Sequence, residues 1–308
     1  MREGALRAPA AGEIVAHAIA SGVSQGTELL LYRGEGPKRF DPSLDPDGAQ
    51  TYPRRYGYAW VGEVTARGDG ATLEEGTRVF ALASHGDAHV LREASARPLP
   101  SALPAERAVL AANLETAITC AWDAAIDLGD RAVVLGGGVV GALTAWLLAR
   151  SGAKVIVVER SEKRRAAVGA LVPEASIVAE AEGDGAADVV VEATGDPRTL
   201  DDAIAWARTE GRVVIASFYG ARRAPVDLGD AFHRRRLELR ASQVSSIPPR
   251  LRGRWSGDRR WALVLSLLEE PRLDALLAPP VPFARAAELY AALDREADAA
   301  PAHLFVYR

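Results

Sequence analysis

The first third of the chain alternates short apolar segments with glycine and proline. The segments GEIVAHAIASGV, YAWVGEVTARG and TRVFALASHG are separated by turn residues and by a Pro- and Asp-rich loop from Pro37 to Pro53. Short apolar runs at this spacing are typical of β-strands. The pattern therefore predicts an irregular β domain over residues 1–116.

Helical and strand patterns alternate along the middle of the chain. The apolar runs RAVVLGG, KVIVVER, ADVVVEATG and GRVVIASFYG are typical of strands, and helical patterns lie at 108–126, 140–150, 162–170 and 200–208. Strands joined by helices in this order form a parallel sheet with crossover helices. We therefore expect an α/β domain with a doubly wound parallel sheet over residues 117–241.

The pattern changes again in the last part of the chain. Helical spacing at 261–268 and 284–293 precedes an apolar strand, HLFVYR. Because β-rich sequence precedes the α/β block and mixed sequence follows it, the pattern favours an α/β domain inserted into a discontinuous first domain. Residues 1–116 and 242–308 are expected to form that first domain.

The composition narrows the class of function. The 308 residues carry 37 Lys and Arg against 41 Asp and Glu, a net charge of −4, whereas nucleic-acid-binding domains are usually basic. No run approaches the roughly 18 apolar residues of a membrane span, and the first residues lack the apolar core of a secretion signal. The single cysteine, Cys120, excludes an intrachain disulfide. We expect a cytoplasmic enzyme with a small-molecule substrate and no nucleic-acid or membrane partner.

A glycine-rich turn joins the first α/β strand to its helix. The segment VVLGGGVVG places Gly136, Gly138 and Gly141 in the spacing G-x-G-x-x-G, with Val139 and Val140 between the last two. In a dinucleotide-binding fold the first glycine allows the tight turn, the second lets the backbone approach a pyrophosphate, and the third lets helix and strand pack closely. The helix N-terminus then presents unpaired N–H groups to the phosphates.

The end of the second strand indicates which dinucleotide is bound. Glu159 follows the last glycine by 18 residues, where a carboxylate accepts hydrogen bonds from the adenosine ribose and repels a 2′-phosphate. This position favours NAD. Arg160, Arg164 and Arg165 lie close by and leave NADP open.

Two later strands end in small or flexible residues. Thr194 and Gly195 follow ADVVVEA, and Ser217 and Phe218 follow RVVIA. Because ligands of an open parallel sheet lie at the carboxyl ends of its strands, these four residues are expected to line the ribose and nicotinamide. The alternative is that they form ordinary strand-end turns.

Several segments together carry a resemblance to a known family. GEIVAHAIASGVSQGTE, YGYAWVGEV, LETAITCAWDAA, VLGGGVVG, VVEATG and VPFARAAELYAALD resemble the medium-chain dehydrogenase/reductase family of alcohol dehydrogenase-like proteins, over nearly the whole chain. Within it the sequence is similar to a bacterial branch near a chlorophyll-pathway dehydrogenase that oxidises a hydroxyethyl side chain. The resemblance implies a GroES-like catalytic domain around a Rossmann domain, and a homodimer formed through the edge strand LELRASQV.

The chain departs from the zinc-dependent members of that family. Where they carry a cysteine it has Ser24 or Gln25, and where they carry His-Glu it has Tyr58 and Ala59; only Glu115 matches a ligand position. Zinc needs about three N, S or carboxylate ligands, so one carboxylate predicts no zinc. His85, Asp87 and His89 offer a further metal-like spacing, for which a loop with local hydrogen bonds is the alternative.

Without zinc, another group has to stabilise the oxygen of the substrate. Tyr58 is the first candidate because a phenol donates to an oxyanion. The resemblance implies a proton-relay hydroxyl for Thr27, and Ser24 or Gln25 is placed to hold the substrate. Glu115 is either a general base or a structural brace.

These observations predict an oxidoreductase that moves hydride between NAD(H) and an alcohol/carbonyl pair between two domains. Two alternatives remain open at this stage. One is an NADPH-dependent enone or quinone reductase, and the other is a nucleotide-binding protein that has lost catalysis and acts as a redox sensor.

Overall fold

The computed structural model describes residues 5–36, 52, 55–295 and 299–307. Most of the loop from Pro37 to Pro53 lies outside these residues.

The first sheet contains seven strands and joins the two ends of the chain. Its order is β12-β13-β1-β2-β3-β5, with β4 paired to β1. Because β13 pairs antiparallel with β1, the last segment completes the sheet that the first begins, which confirms the inserted arrangement; the exact domain boundaries stay predictions. The strands are β1 (Glu13–Val23), β2 (Trp60–Arg67), β3 (Arg78–Ala81), β4 (Ala88–Arg92), β5 (Arg97–Pro98), β12 (Val281–Pro282) and β13 (His303–Val306).

The second sheet has six parallel strands in the order β11-β10-β9-β6-β7-β8. The chain reverses its direction of winding between β6 and β9, and ligands bind at such a switch point in doubly wound folds. The predicted α/β class is confirmed. The strands are β6 (Arg131–Leu135), β7 (Lys154–Val158), β8 (Ser176–Val178), β9 (Ala187–Glu192), β10 (Ala207–Ile215) and β11 (Glu238–Ala241).

Each helix predicted along the α/β block has an observed counterpart with different ends, and a short helix at Ala231–Arg234 was not predicted. The helix predicted at 108–126 is split, and the one predicted at 200–208 ends at Trp206 because Ala207 pairs with Ala187 in the sheet. A helix after β1 was not predicted. The helices are α1 (Gln25–Tyr32), α2 (Ala105–Ala108), α3 (Ala111–Ala124), α4 (Val139–Arg150), α5 (Glu162–Leu171), α6 (Leu200–Trp206), α7 (Ala231–Arg234), α8 (Gly257–Leu267) and α9 (Ala286–Arg295).

One apolar cluster extends through both sheets. It contains Phe80 from the first sheet, Leu114 and Ile118 from α3, Trp146 from α4 and Trp261 from α8. Since α3 packs on both α4 and α8, burial of its apolar side chains fixes the two halves of the molecule to each other.

Among the described helices, none has the length and apolar character needed to cross a membrane.

Candidate active site

The glycine turn lies between β6 and α4. Gly136 has a φ of +96°, and a Cβ there would lie 2.8 Å from the carbonyl oxygen of Ala193. A Cβ on Gly141 would lie 1.9 Å from the carbonyl oxygen of Gly136, whereas one on Gly138 would meet no atom within 4 Å. The first and third glycines are therefore needed for packing, and the second borders open space at the start of α4, where Val139 and Val140 are half-buried.

Glu159 lies directly against this turn. Its carboxylate accepts hydrogen bonds from the backbone N–H of Gly137 at 2.7 Å and of Ser161 at 2.8 Å. The side chain is buried, and these two bonds fix the carboxylate at the end of β7. An acidic group therefore stands beside the glycine turn, as the sequence predicts for a ribose-binding residue.

The three arginines near Glu159 differ in their surroundings. Arg160 is exposed, and Arg165 donates to the carbonyl oxygen of Glu159 at 3.0 Å. Arg164 lies 3.9 Å from the Glu159 carboxylate and donates to Gln25 at 3.3 Å and to the carbonyl oxygen of Ala299 at 3.0 Å. Arg164 thereby joins the nucleotide-binding half to the first domain.

The ends of β9 and β10 are joined by hydrogen bonds. Ser217 accepts from the backbone N–H of Gly195 at 2.8 Å. Phe218 is 51% exposed and Thr194 is also exposed. The four predicted strand-end residues therefore lie together at the carboxyl edge of the sheet, next to the glycine turn.

A buried glutamate that the sequence analysis missed holds this edge together. Glu192 is 0% exposed and accepts hydrogen bonds from the backbone N–H of Thr194 at 2.7 Å, from Thr199 at 3.2 Å and from the Tyr219 hydroxyl. Burial, together with the neighbouring Glu192, raises the pKa of Tyr219. The only sequence signal was an acid at the end of an apolar run, in VVEATG.

Ser24 and Tyr58 form a hydrogen-bonded pair in the first domain. Ser24 is the N-cap residue of α1, and its hydroxyl makes no capping bond to the helix. Instead it accepts a hydrogen bond from the Tyr58 hydroxyl. An N-cap serine normally accepts from a backbone N–H of the first helical turn, so this hydroxyl is directed away from its usual partner.

The Tyr58 phenol is protonated at neutral pH. Burial raises its pKa, and the negative charge of Glu28 acts in the same direction, while hydrogen bonds with Ser24 and Thr27 act against both. Because an ordinary tyrosine already titrates near ~10, a raised pKa leaves the proton on the phenol and makes it a hydrogen-bond donor. Three predicted residues, Ser24, Thr27 and Tyr58, are thus brought together.

The surroundings of Glu115 bear on its two alternative roles. Its carboxylate has Arg260 as a partner, 3.2 Å away. Arg260 also donates to Thr119 at 3.2 Å and to the carbonyl oxygen of Val244 at 2.7 Å. In the described part of the chain Glu115 makes no hydrogen bond to Tyr58 or Ser24, and its contacts favour the structural brace over the general base.

The residues present do not fit a zinc ion. Ser24 and Tyr58 are bonded to each other, Ala59 has no donor atom, and the Glu115 carboxylate faces a guanidinium group. Within the described residues no three side chains of His, Cys, Asp or Glu are grouped closely enough to hold a metal.

The two histidines with metal-like spacing have other partners. His89 lies in β4 and contacts the carbonyl oxygen of Ser84 at 2.8 Å. His85 lies in the loop before β4, and its ring contacts Ser21 through Nδ1 and Glu28 through Nε2. The two histidines are thus not on one face of a strand with Asp87. The hydrogen bond of His89 is local, as in the alternative interpretation, whereas the partners of His85 lie 57 and 64 residues away in the sequence.

Comparison with known proteins places the chain in a family. Residues 139–263 match the family described as zinc-binding dehydrogenase. The chain is also 30% identical over 239 residues to the 2-desacetyl-2-hydroxyethyl bacteriochlorophyllide A dehydrogenase of Cereibacter sphaeroides, a match that covers 70% of this chain and 69% of that protein. The chain belongs to the medium-chain dehydrogenase/reductase family. This medium-chain dehydrogenase/reductase is an oxidoreductase.

Solved structures share the fold of this medium-chain dehydrogenase/reductase. A protein from Sinorhizobium meliloti 1021, described as a zinc-binding dehydrogenase bound to NADP, has a TM-score of 0.76 at 20% identity, covering 99% of this chain and 95% of its own. The acetophenone reductase of Geotrichum candidum, in complex with NAD, has a TM-score of 0.77 at 15% identity, covering 97% and 91%. At these identities the likeness concerns the fold.

Alanine substitution of two glycines should distinguish a glycine needed for packing from one needed for dinucleotide binding. Because a Cβ at 138 meets no protein atom within 4 Å, Gly138→Ala should lower the free energy of unfolding by no more than about 1 kcal/mol, the difference between glycine and alanine at an N-cap, and weaken NADH binding about tenfold or more. Gly141→Ala should instead destabilise the fold by about 1–3 kcal/mol. Chemical denaturation and NADH fluorescence titration measure both effects.

Gly257→Ala is the matched control, since a Cβ at the start of α8 also meets no atom within 4 Å. It should leave both stability and NADH binding unchanged. Unaltered NADH binding in Gly138→Ala would show that this turn does not hold the dinucleotide.

A second prediction concerns the helix cap. The Ser24 hydroxyl accepts from Tyr58 and does not cap α1. In a Tyr58→Phe background, Ser24→Ala should therefore lower the free energy of unfolding by at most about 0.5 kcal/mol, against about 1 kcal/mol for loss of an ordinary serine cap. In the wild-type background the cost should be larger because the buried phenol loses its acceptor. A double-mutant cycle by urea denaturation gives the coupling; equal costs in both backgrounds would contradict the pairing.

Proposed function

We propose that this protein is a zinc-independent oxidoreductase that transfers hydride between NAD(H) and an alcohol or carbonyl compound bound between its domains. The observation that carries the proposal is the Ser24–Tyr58 hydrogen bond. Ser24 and Tyr58 stand at positions at which zinc-dependent relatives are expected to keep metal ligands, and Tyr58 places a protonated phenol there. The proposal agrees with the comparisons at the level of an alcohol dehydrogenase-like oxidoreductase.

The residues around the glycine turn fit a nicotinamide dinucleotide. Gly138 leaves open space where a pyrophosphate would approach the N-terminus of α4, and Glu159 is fixed beside it to accept from a ribose. When bound, the nicotinamide supplies or accepts the hydride. Thr194, Gly195, Ser217 and Phe218 would line the side of the site nearer to the reacting ring.

The chain's own part in the chemistry is to handle the proton and the developing charge. In carbonyl reduction the Tyr58 O–H turns from Ser24 to the substrate oxygen, to which it donates a hydrogen bond and then its proton. The hydroxyls of Ser24 and Thr27 adjoin Tyr58 and stabilise its ionised form until it takes a new proton from water. In alcohol oxidation the path runs in reverse, so Tyr58 has to lose its own proton to water before it accepts the proton of the alcohol.

Glu115 has a supporting role in this proposal. Its pairing with Arg260 joins α3 to α8 and to the segment that contains Val244.

The homodimer through β11, an edge strand of the described sheet, and the cytoplasmic location both stay predictions.

Replacing the phenol tests the proposed chemistry. Tyr58→Phe should lower kcat by about 10²–10⁴, the usual contribution of a positioned acid or base, and should leave the Kd for NADH unchanged. Steady-state kinetics on a panel of secondary alcohols and ketones, with NADH fluorescence titration, measures both. Tyr56→Phe is the control because its ring packs against Tyr58 at 6.4 Å. Equal turnover by wild type and Tyr58→Phe would remove Tyr58 from the mechanism.

The dinucleotide preference distinguishes the proposal from the enone-reductase alternative. Because the buried Glu159 carboxylate faces the ribose position, we expect NADH to bind at least about tenfold more tightly than NADPH. Glu159→Gln should reduce that preference. Tighter binding of NADPH to the wild type would favour the alternative, in which Arg160 and its neighbours bind a 2′-phosphate. Binding of either dinucleotide without turnover on any substrate would favour the redox sensor.

A further inference from the structure

A single buried carboxylate collects donors from three separate parts of the chain. Glu28, in the first turn of α1, has a side chain that is only 3% exposed. It accepts from the backbone N–H of Ser24 at 2.8 Å, contacts Nε2 of His85 at 3.0 Å and accepts from the Tyr290 hydroxyl of α9. Neither His85 nor Tyr290 adjoins Glu28 in the sequence, so the carboxylate is held by tertiary structure.

The bond from Ser24 to Glu28 changes what the serine hydroxyl can do. In a capping box the serine side chain accepts from the helix while the acidic side chain reaches back to the serine N–H. Glu28 lies one position further into the helix than the acid of a capping box, and only the second kind of bond forms: Glu28 accepts from the Ser24 N–H, and the Ser24 hydroxyl makes no capping bond. Glu28 therefore holds the backbone of Ser24, whose hydroxyl accepts from Tyr58.

The partners of His85 fix its ring and its tautomer. Nε2 faces a carboxylate and so carries a proton, while Nδ1 lies 2.7 Å from the hydroxyl of Ser21. Ser21 in turn contacts the Tyr307 hydroxyl at 2.6 Å. The ring of Phe305 packs edge-on against the imidazole at 5.1 Å. Hydrogen bonds thus connect the Tyr307 hydroxyl, through Ser21 and His85, to the Glu28 carboxylate.

The order Ser21, His85, Glu28 has the composition of a nucleophilic triad, but it is not one. Ser21 is 1% exposed, lies within β1 and already contacts Tyr307. A nucleophile must reach its substrate, and this hydroxyl does not. The carboxylate at the other end is the part that adjoins the proposed active site.

We propose that Glu28 is a positioning residue for the Ser24–Tyr58 pair, with His85 and Tyr290 holding its carboxylate in place. This inference rests on the proposed function for its effect on turnover, but the positioning itself concerns only the protein. Glu28 acts in two ways: it fixes the backbone of Ser24 so that the hydroxyl meets the phenol, and its charge favours the protonated, donating form of Tyr58.

The main variant is Glu28→Gln, which keeps one acceptor oxygen but places amide N–H groups against His85 and Tyr290. Two readouts test it. In protein labelled with carbon-13 at the tyrosine Cζ, the Tyr58 signal, assigned with Tyr58→Phe, should move in Glu28→Gln. The kcat should fall about tenfold or more in the wild-type background and no more than about twofold in a Tyr58→Phe background, while the Kd for NADH stays constant.

Tyr290→Phe removes one donor, keeps the carboxylate and serves if Glu28→Gln does not fold. It should move the Tyr58 signal in the same direction by a smaller amount. Tyr32→Phe is the matched control, because the Tyr32 ring stacks on Tyr290 at 5.9 Å and its hydroxyl is not one of the groups that contact Glu28; it should leave the Tyr58 signal in place.

An unmoved Tyr58 signal in Glu28→Gln, or in Tyr290→Phe where that variant is the one measured, would overturn the inference. So would an equal loss of kcat from Glu28→Gln with and without Tyr58. Failure of the proposed function has a different signature: Tyr58→Phe would retain turnover, while the Tyr58 signal would still respond to Glu28.

Discussion

The hydrogen bond from Tyr58 to Ser24 exists because the serine hydroxyl is not used to cap α1. An unused cap leaves an N–H of the first helical turn without its usual acceptor, while Glu28 accepts from a different donor, the Ser24 backbone N–H, from within the same helix. The site therefore depends on one buried carboxylate with three donors. A zinc-dependent relative would need ligands at these positions, whereas this chain has two hydroxyls that satisfy each other.

The remainder of the fold connects that pair to the predicted dinucleotide site. Strand β13 closes the first sheet beside β1, and α3 packs between the two halves, so that both sheets share one apolar cluster. Arg164 adds a polar contact across the boundary, from the neighbourhood of Glu159 to Gln25, the residue after Ser24. The carboxylate expected at the ribose and the hydroxyl expected at the substrate are thus linked through one side chain.

The sequence was sufficient to predict features whose residues lie close together along the chain. The glycine turn, Glu159 and the alternation of strands and helices are local patterns. The structure has the turn between β6 and α4 with Glu159 beside it, and the binding of a dinucleotide there stays a prediction. Glu28, Tyr290 and Glu192 were missed, and the partners of His85 were not foreseen, because these contacts depend on tertiary structure and join residues up to 262 positions apart. The two alternatives for Glu115 stayed open because nothing local indicates that Arg260 of α8 reaches it. Helix ends moved where the sheet competed for the same residues, as at Ala207.

The metal content of the purified protein, measured together with single-turnover hydride transfer before and after treatment with a chelator, tests the central claim most directly. The account predicts far less than one zinc per chain and the same rate of NADH formation or consumption after chelation, since the oxygen of the substrate is stabilised by a phenol. One zinc per chain, with transfer lost on chelation and restored by added zinc, would contradict it.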